Sequence, residues 1–254
     1  MKLRFLVLSA AYPSAREPGR AVFIENLNRA LVEEAGPGLS LTVVAPRVHP
    51  LDPLRETRAG VEVRRFAYPS GGKRLKETAA PGLLTLGCYI ISGLRTVLWE
   101  ARRGDYDAIL CHWVLPAGPI AWLSSFLLEK PVQLFAHGSD LNQYAAGSAW
   151  LRLASRLALG KAKGVVAVSE ELSGRLTSDY GLHAGKVDVI SMGVGEEFQP
   201  GDREEDRVDL SLPAGADVLF AGDLVEAKGV RDLLAARELL AARGVDFRLH
   251  FAGR

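Results

Sequence analysis

From the first residue to Ile190, apolar runs of strand length alternate with segments of helical period, and this alternation most constrains the fold of the 254-residue chain. The runs fall at 4–9, 40–45, 61–66, 108–112, 132–136, 165–168 and 187–190. Several are nearly unbroken Val, Ile and Leu, as strands covered on both faces by crossover helices must be. The pattern predicts a doubly wound α/β domain on a parallel sheet over residues 1–198. At 199–215 (QPGDREEDRVDLSLPAG) the apolar period lapses and prolines, glycines and charges crowd together. That stretch reads as an interdomain linker. Residues 216–254 then open a second unit of the same style, with a VLFAG strand, a helix and a closing FRLHFA strand over 247–252. One strand-helix-strand is less than a typical domain, so this second unit is expected to be incomplete.

Charge and cysteine content narrow the function classes. With 31 basic and 30 acidic residues the net charge is +1, which gives no electrostatic case for nucleic acid as a partner. Cys88 and Cys111 lie in apolar surroundings without paired spacing, arguing against a disulfide framework or a zinc site and for a reducing, cytoplasmic setting. The N-terminal MKLRFLVLSAAYPS has the ingredients of a signal peptide. Its apolar core is only 5–11, however, and a proline and a charged loop follow, which suits a first buried strand better. Segment 83–103 is the most hydrophobic helix, with Lys73, Arg74 and Lys76 before it and Arg102 and Arg103 at its end. Arg95 and two glycines inside it argue against a membrane span. It is expected to cover the sheet, with peripheral membrane contact through the basic flanks as the alternative.

Candidate site residues collect where predicted strands end, since open α/β sheets bind ligands beyond the carboxyl ends of their strands. LFAHGSDL runs a hydrophobic strand straight into His137, Gly138, Ser139 and Asp140. A histidine there exchanges hydrogen bonds near neutral pH, Gly138 admits a ligand to the backbone, and Asp140 can hold a hydroxyl. The bland alternative is a histidine satisfying nearby backbone and an aspartate capping the next helix. LCHWVL puts His112 and Trp113 on the same edge, though a tryptophan more often serves by burying area. The first strand leads into a long loop with Gly19 and Arg20 and then an amphipathic helix. Phosphate cradles have this layout, yet neither GxGxxG nor GxxxxGK[ST] is present. In the second unit, the VLFAG strand reaches Gly222 and then Lys228 at a helix start, where amide groups, helix dipole and ammonium would all face an anion.

These segments resemble the retaining GT-B glycosyltransferases of family four, in the branch that builds bacterial surface polysaccharides. The resemblance rests on FLVLSAAYPS, GRAVFIENLNRAL, DYDAILCHWVLPAG, KPVQLFAHGSDL, KGVVAVSEEL, KVDVISMGV and FAGDLVEAKGV, and it spans essentially the whole chain. It implies an enzyme of two Rossmann-like domains with the site in the cleft between them. Such an enzyme moves a sugar from a nucleotide-diphosphate sugar to a glycan or lipid-linked acceptor without metal or other cofactor, in the cytoplasm or at the inner membrane face. By position, Gly19, Arg20 and Gly222 would approach the donor, His137 would contact the sugar, Asp140 would hold hydroxyls, and Lys228 would neutralise the leaving diphosphate. The family usually has arginine where Asp223 stands, and a carboxylate beside a diphosphate is repulsive. The family's glutamate pair has no counterpart in these residues, so the resemblance implies a fragment with little activity alone. Two other readings remain open: a non-catalytic α/β ligand-binding module with a decayed donor site, and a nicotinamide oxidoreductase, whose glycine fingerprint the first strand lacks.

Overall fold

A computed structural model describes the chain except for residues 1, 74, 76–81, 139–140, 142–148, 196–197, 213–214 and 254. It divides into two compact units, Met1–Glu196 and Glu197–Arg254.

Unit 1 is a twisted sheet with helices on both faces. Its strands are β1 (Leu3–Ser9), β2 (Leu39–Arg47), β3 (Arg55–Arg58), β4 (Val61–Ala67), β5 (Ala108–His112), β6 (Val132–Ala136), β7 (Gly164–Ala167) and β8 (Val187–Val189). Its helices are α1 (Val22–Ala35), α2 (Leu83–Arg103), α3 (Ala117–Leu128), α4 (Ala149–Lys161) and α5 (Glu170–Ser178). The sheet order is β3-β4-β2-β1-β5-β6-β7-β8, and every pairing is parallel except β3 with β4. From β1 the chain winds outward to β2 and β4, then returns to lay β5 on the other side of β1. The reversal opens a crevice between the carboxyl ends of β1 and β5, where Ser9 pairs with His112.

Strand alternation divides the core. Leu6 and Leu8 of β1 pack with Phe66, Tyr89, Val97 and Ile120 under α2 and α3, while Val7 joins Ile24 and Val43 under α1. A third cluster, including Leu134, Leu159, Val165 and Leu172, lies under α4 and α5. Close helix contacts need glycine: a Cβ at Gly118 of α3 would meet the Ala158 Cβ at 2.9 Å.

Strand β3 escapes sequence reading. Its RETR has no apolar run, because it is a polar edge strand with alternating exposure. Its one signal is the two-residue Ala59–Gly60 turn, where both residues take positive φ, at 45° and 75°, as a tight hairpin requires. Helix α2 covers the sheet as expected, burying Tyr89, Val97 and Glu100, but it leaves Leu84, Ile91 and Trp99 exposed along one stripe. No helix among the described residues is long and apolar enough to cross a membrane.

Unit 2 contains α6 (Arg203–Asp209), β9 (Asp217–Ala221), α7 (Val230–Ala241) and β10 (Arg248–Ala252), with β9 and β10 parallel. The stretch read as a linker therefore carries a helix, started by Asp202, whose carboxylate accepts from the Glu204 and Glu205 amides. Its dense charge, which argued for a loop, is the helix's solvated surface and one anchor. Arg207 pairs with Asp217 at 2.8 Å, and Asp217 also accepts from Arg248 and His250. The Arg248 guanidinium first, then His250, holds this carboxyl well below the ordinary range.

Candidate functional site

The crevice at the β1–β5 reversal is built by three strand ends and one helix start. The loop leaving β1 is pinned from below. Arg65, buried on β4, donates from Nη2 to the Pro13 carbonyl at 2.6 Å and also bonds Glu56. Asn28 on α1 donates to the buried Tyr12 hydroxyl at 3.5 Å, and burial pushes that phenol up to about 12, so it stays neutral. Beyond these anchors Ser14 and Glu17 exchange backbone hydrogen bonds, and the Arg20 amide donates to the Glu17 carbonyl. Gly19 is thus an exposed residue on a fastened turn, with Arg20 half-buried beside it. Ala21, at φ 52°, starts α1 without a side-chain cap, leaving first-turn amides for solvent or a ligand.

Helix α1 then brings Phe23 over the crevice. Its ring lies 5.1 Å from that of His137 and 5.9 Å from that of Trp113, and the His137 and Trp113 rings are 4.9 Å apart. Trp113 has φ 71°, a strained conformation for a bulky residue, and its amide donates to the Phe135 carbonyl at 2.9 Å. Gly138, at φ 83°, supplies the positive φ that turns the chain away after His137. Phe23 was not singled out from the sequence. Its only signal is its place in the first turn of the helix after β1.

His112 Nδ1 and His137 Nε2 are 3.2 Å apart. His112 is fully buried and its ring stacks on Phe135 at 4.5 Å. Burial, and then the neighbouring His137, holds the His112 imidazole well below its ordinary value. Burial alone pushes His137 down to about 4. Both rings are neutral at physiological pH. A neutral His137 flanked by Phe23 and Trp113 provides a directional hydrogen bond beside apolar ring faces, which suits a polyhydroxylated ring better than a bare anion.

Of the residues expected to act, the structure gathers His137 and Trp113 at this crevice, with His112 beneath. Asp140 and Ser139 lie outside the described residues. Gly222 and Lys228 belong to unit 2. Gly222 follows β9 at φ 150° and its amide donates to the Ala252 carbonyl at 2.9 Å, tying the strand end to β10. Lys228 is exposed on a single turn (Glu226–Lys228), and Gly229, at φ 74°, then starts α7. Asp223 is exposed, and among the described residues no ion pair joins it to Lys228. Among the described residues no cluster of three or more His, Cys, Asp or Glu could hold a metal.

A glycosyl transferase 4-like domain model matches residues 19–193, well over half of the chain and nearly all of unit 1. The chain belongs to that family. TuaC of Bacillus subtilis (strain 168), assigned to teichuronic acid biosynthesis as a glycosyltransferase, is 29% identical over 259 residues, covering 94% of this chain and 63% of TuaC. A D-inositol 3-phosphate glycosyltransferase of Catenulispora acidiphila is 33% identical over 209 residues, covering 78% of this chain and 47% of the relative. The chain thus spans between about half and two thirds of the length of these curated relatives. Among solved structures, the catalytic domain of starch synthase IV from Arabidopsis thaliana, bound to ADP and acarbose, superposes with a TM-score of 0.63 at 15% identity, covering 99% of this chain and 69% of that one. HepE of Anabaena, in complex with UDP and glucose, gives 0.59 at 15% identity with the same coverages. At such identities the glycosyltransferase 4-like chain shares with them the GT-B type of fold, built from Rossmann-like units.

Proposed function

We propose that this chain serves a retaining glycosyltransferase that moves a sugar, of hexosyl type, from a nucleotide-diphosphate sugar to a glycan or lipid-linked acceptor in cell-surface polysaccharide synthesis. The observation that carries the reading is the His137–Gly138 strand end in the crevice at the sheet reversal, walled by Phe23 and Trp113, in a chain of this family. These two solved neighbours hold a nucleoside diphosphate together with glucose or acarbose, and TuaC is assigned to teichuronic acid biosynthesis. In the reaction, the bond from the sugar's anomeric carbon to the diphosphate oxygen breaks and an acceptor hydroxyl bonds that carbon on the same face. The hydroxyl proton passes to the departing diphosphate. His137 contacts the sugar, Gly19 and Arg20 approach it with the phosphates, Gly222 admits the diphosphate to the backbone, and Asp140 holds hydroxyls. Lys228 offsets the leaving charge, where electrostatic help matters most. No metal or other cofactor enters this scheme.

Isothermal titration with UDP, ADP and GDP tests it. One diphosphate is expected to bind, also in the presence of a chelator, and Lys228→Ala to weaken it about ten- to a hundredfold, as loss of a charge-assisted hydrogen bond of about 1.5–3 kcal/mol implies. An unchanged affinity in K228A would remove Lys228 from the site. Absence of binding by all three would favour the second reading, a ligand-binding module with a decayed donor site. The exposed Asp223 beside Gly222 supports that alternative.

We also propose that the enzyme works on the cytoplasmic face of a membrane, docked through α2. Between α2 and β4 lies a groove of about 630 Å³ whose lining includes the exposed Arg55, Arg95 and Trp99, while Arg64 and Arg65, which also line it, are neutralised by Glu62 and Glu100 and by Glu56. The Arg55 and Arg103 guanidinium groups sit 4.7 and 4.3 Å from the centre of the Trp99 ring. With the exposed Leu84 and Ile91 this makes an apolar stripe rimmed by cations, the composition that adheres to anionic bilayers. Flotation should recover the protein with anionic vesicles and not with zwitterionic ones. The double variant R95E/R103E should stay at the bottom, and a wild-type protein left wholly unbound would end the proposal.

A further inference from the structure

The His112–His137 pair holds one hydrogen bond and two ways of making it. The 3.2 Å between Nδ1 of His112 and Nε2 of His137 lies within a 5.4 Å separation of ring centres, and the planes differ by 18°. The two nitrogens therefore sit between the rings, which meet edge to edge and nearly in plane, a geometry suited to a shared proton. With both rings neutral, either His112 donates from Nδ1 or His137 donates from Nε2.

The far side of His112 decides between them. Its Nε2 is buried and has no partner among the described residues. If His137 donated, His112 would carry its own proton on Nε2, an orphaned N–H in the core. If His112 donates from Nδ1, only a ring lone pair is left unmet there, and buried donors without acceptors are the rarer and costlier fault. Phe135 stacks on the His112 ring and fixes its plane, while the Trp113 amide bond to Phe135 fastens the strand end that carries it.

We propose that His112 is a positioning residue that holds His137 in the tautomer with its proton on Nδ1, so that His137 meets the transferred sugar as a hydrogen-bond donor and not as a base. The second half rests on the reading of His137 as a sugar contact; the tautomer does not. Nδ1 of His137 has no hydrogen-bond partner among the described residues, so it is the nitrogen left for a ligand. His137 then polarises a sugar oxygen by donation and takes up no proton during transfer. This division of labour needs no titration of either ring.

Long-range proton–nitrogen spectra of the full 254-residue chain, labelled in histidine nitrogen, read the tautomer directly. The His137 and His112 signals are identified by their loss in H137N and H112N. At neutral pH His137 should show a protonated-type Nδ1 and an unprotonated-type Nε2. In His112→Phe, which keeps an aromatic ring and removes the donor, the unprotonated-type Nε2 signal of His137 should lose the upfield displacement that accepting the hydrogen bond gives it. In His112→Asn the amide nitrogen can replace Nδ1 as donor, and the wild-type pattern should return. A wild-type His137 protonated on Nε2 overturns the proposal without any variant, and a folded H112F with the wild-type pattern overturns the role of His112. Because no ligand is present, these outcomes stand whether or not a nucleoside diphosphate binds. A separate titration with UDP-glucose, in which H112F loses affinity and H112N retains it, would tie the tautomer to the sugar, and equal affinities would sever that tie.

Discussion

Replacing Arg65 by alanine should destabilise unit 1 by about 3–5 kcal/mol, the cost of stripping one partner from a buried ion pair. The Arg65 side chain is only 1% exposed. It bonds Glu56 through Nε and Nη2, and Nη2 also reaches the Pro13 carbonyl at 2.6 Å. Without it, Glu56, with 18% of its side chain exposed, keeps, among the described residues, Arg58 at 3.9 Å, and the buried Pro13 carbonyl loses its donor. The charge itself is not the stabilising element. Exchanging both partners for apolar groups of like volume, as in R65M/E56L, should restore much of the loss, because a well-packed apolar pair is often as stable as a buried ionic one. Urea unfolding followed by tryptophan fluorescence measures both. A loss below about 1 kcal/mol in R65A would mean that Arg65 is solvated, as surface pairs are. The change also reaches the site: Pro13 anchors the loop that carries Gly19 and Arg20, so that loop's amides should exchange faster even where R65A is folded.

Neither Arg65 nor its role was legible in the sequence. VEVRRFA reads as a strand, but nothing local says that one of its arginines turns inward to hold a loop 52 residues earlier. The parallel strands were legible because each needs apolar residues on both faces, and composition records that need directly. β3 was not, because an edge strand facing water carries no such demand, and α6 was misread because a short surface helix and a charged linker share a composition. The site divides in the same way. His137 stood out because it ends a buried run abruptly, and Gly138 because it follows. Phe23 and the His112–His137 bond depend on three segments meeting across the crevice, which the sheet order fixes and no single segment contains. Asp140 lies outside the described residues.

Acid should unfold unit 1 earlier than its carboxylates alone would, and the histidine pair sets the window. In the unfolded chain His137 titrates near 6.5, while in the folded protein burial holds it down to about 4. Between those values the unfolded state binds the proton and the folded state does not, so stability is complete above about pH 6.5 and falls as pH drops toward 4. The gap of 6.5 − 4, with 1.36 kcal/mol for each pH unit, amounts to about 3 kcal/mol from His137. His112 adds to the loss in the same direction, since it too is held well below 6.5 by burial and by its neighbour. Two imidazolium ions 3.2 Å apart would also repel, so the pair has no second protonation to fall back on. Asp217 works lower and in the other unit: its carboxyl is depressed, so its contribution is lost only as pH falls below about 3.8. Urea unfolding at steps from about pH 7 to about pH 5 therefore isolates the histidines. H137N should flatten the slope, and H112N/H137N should nearly abolish it. A wild-type protein equally stable across that range would mean that the crevice admits water to both rings, and would remove the basis for a neutral His137 at the sugar.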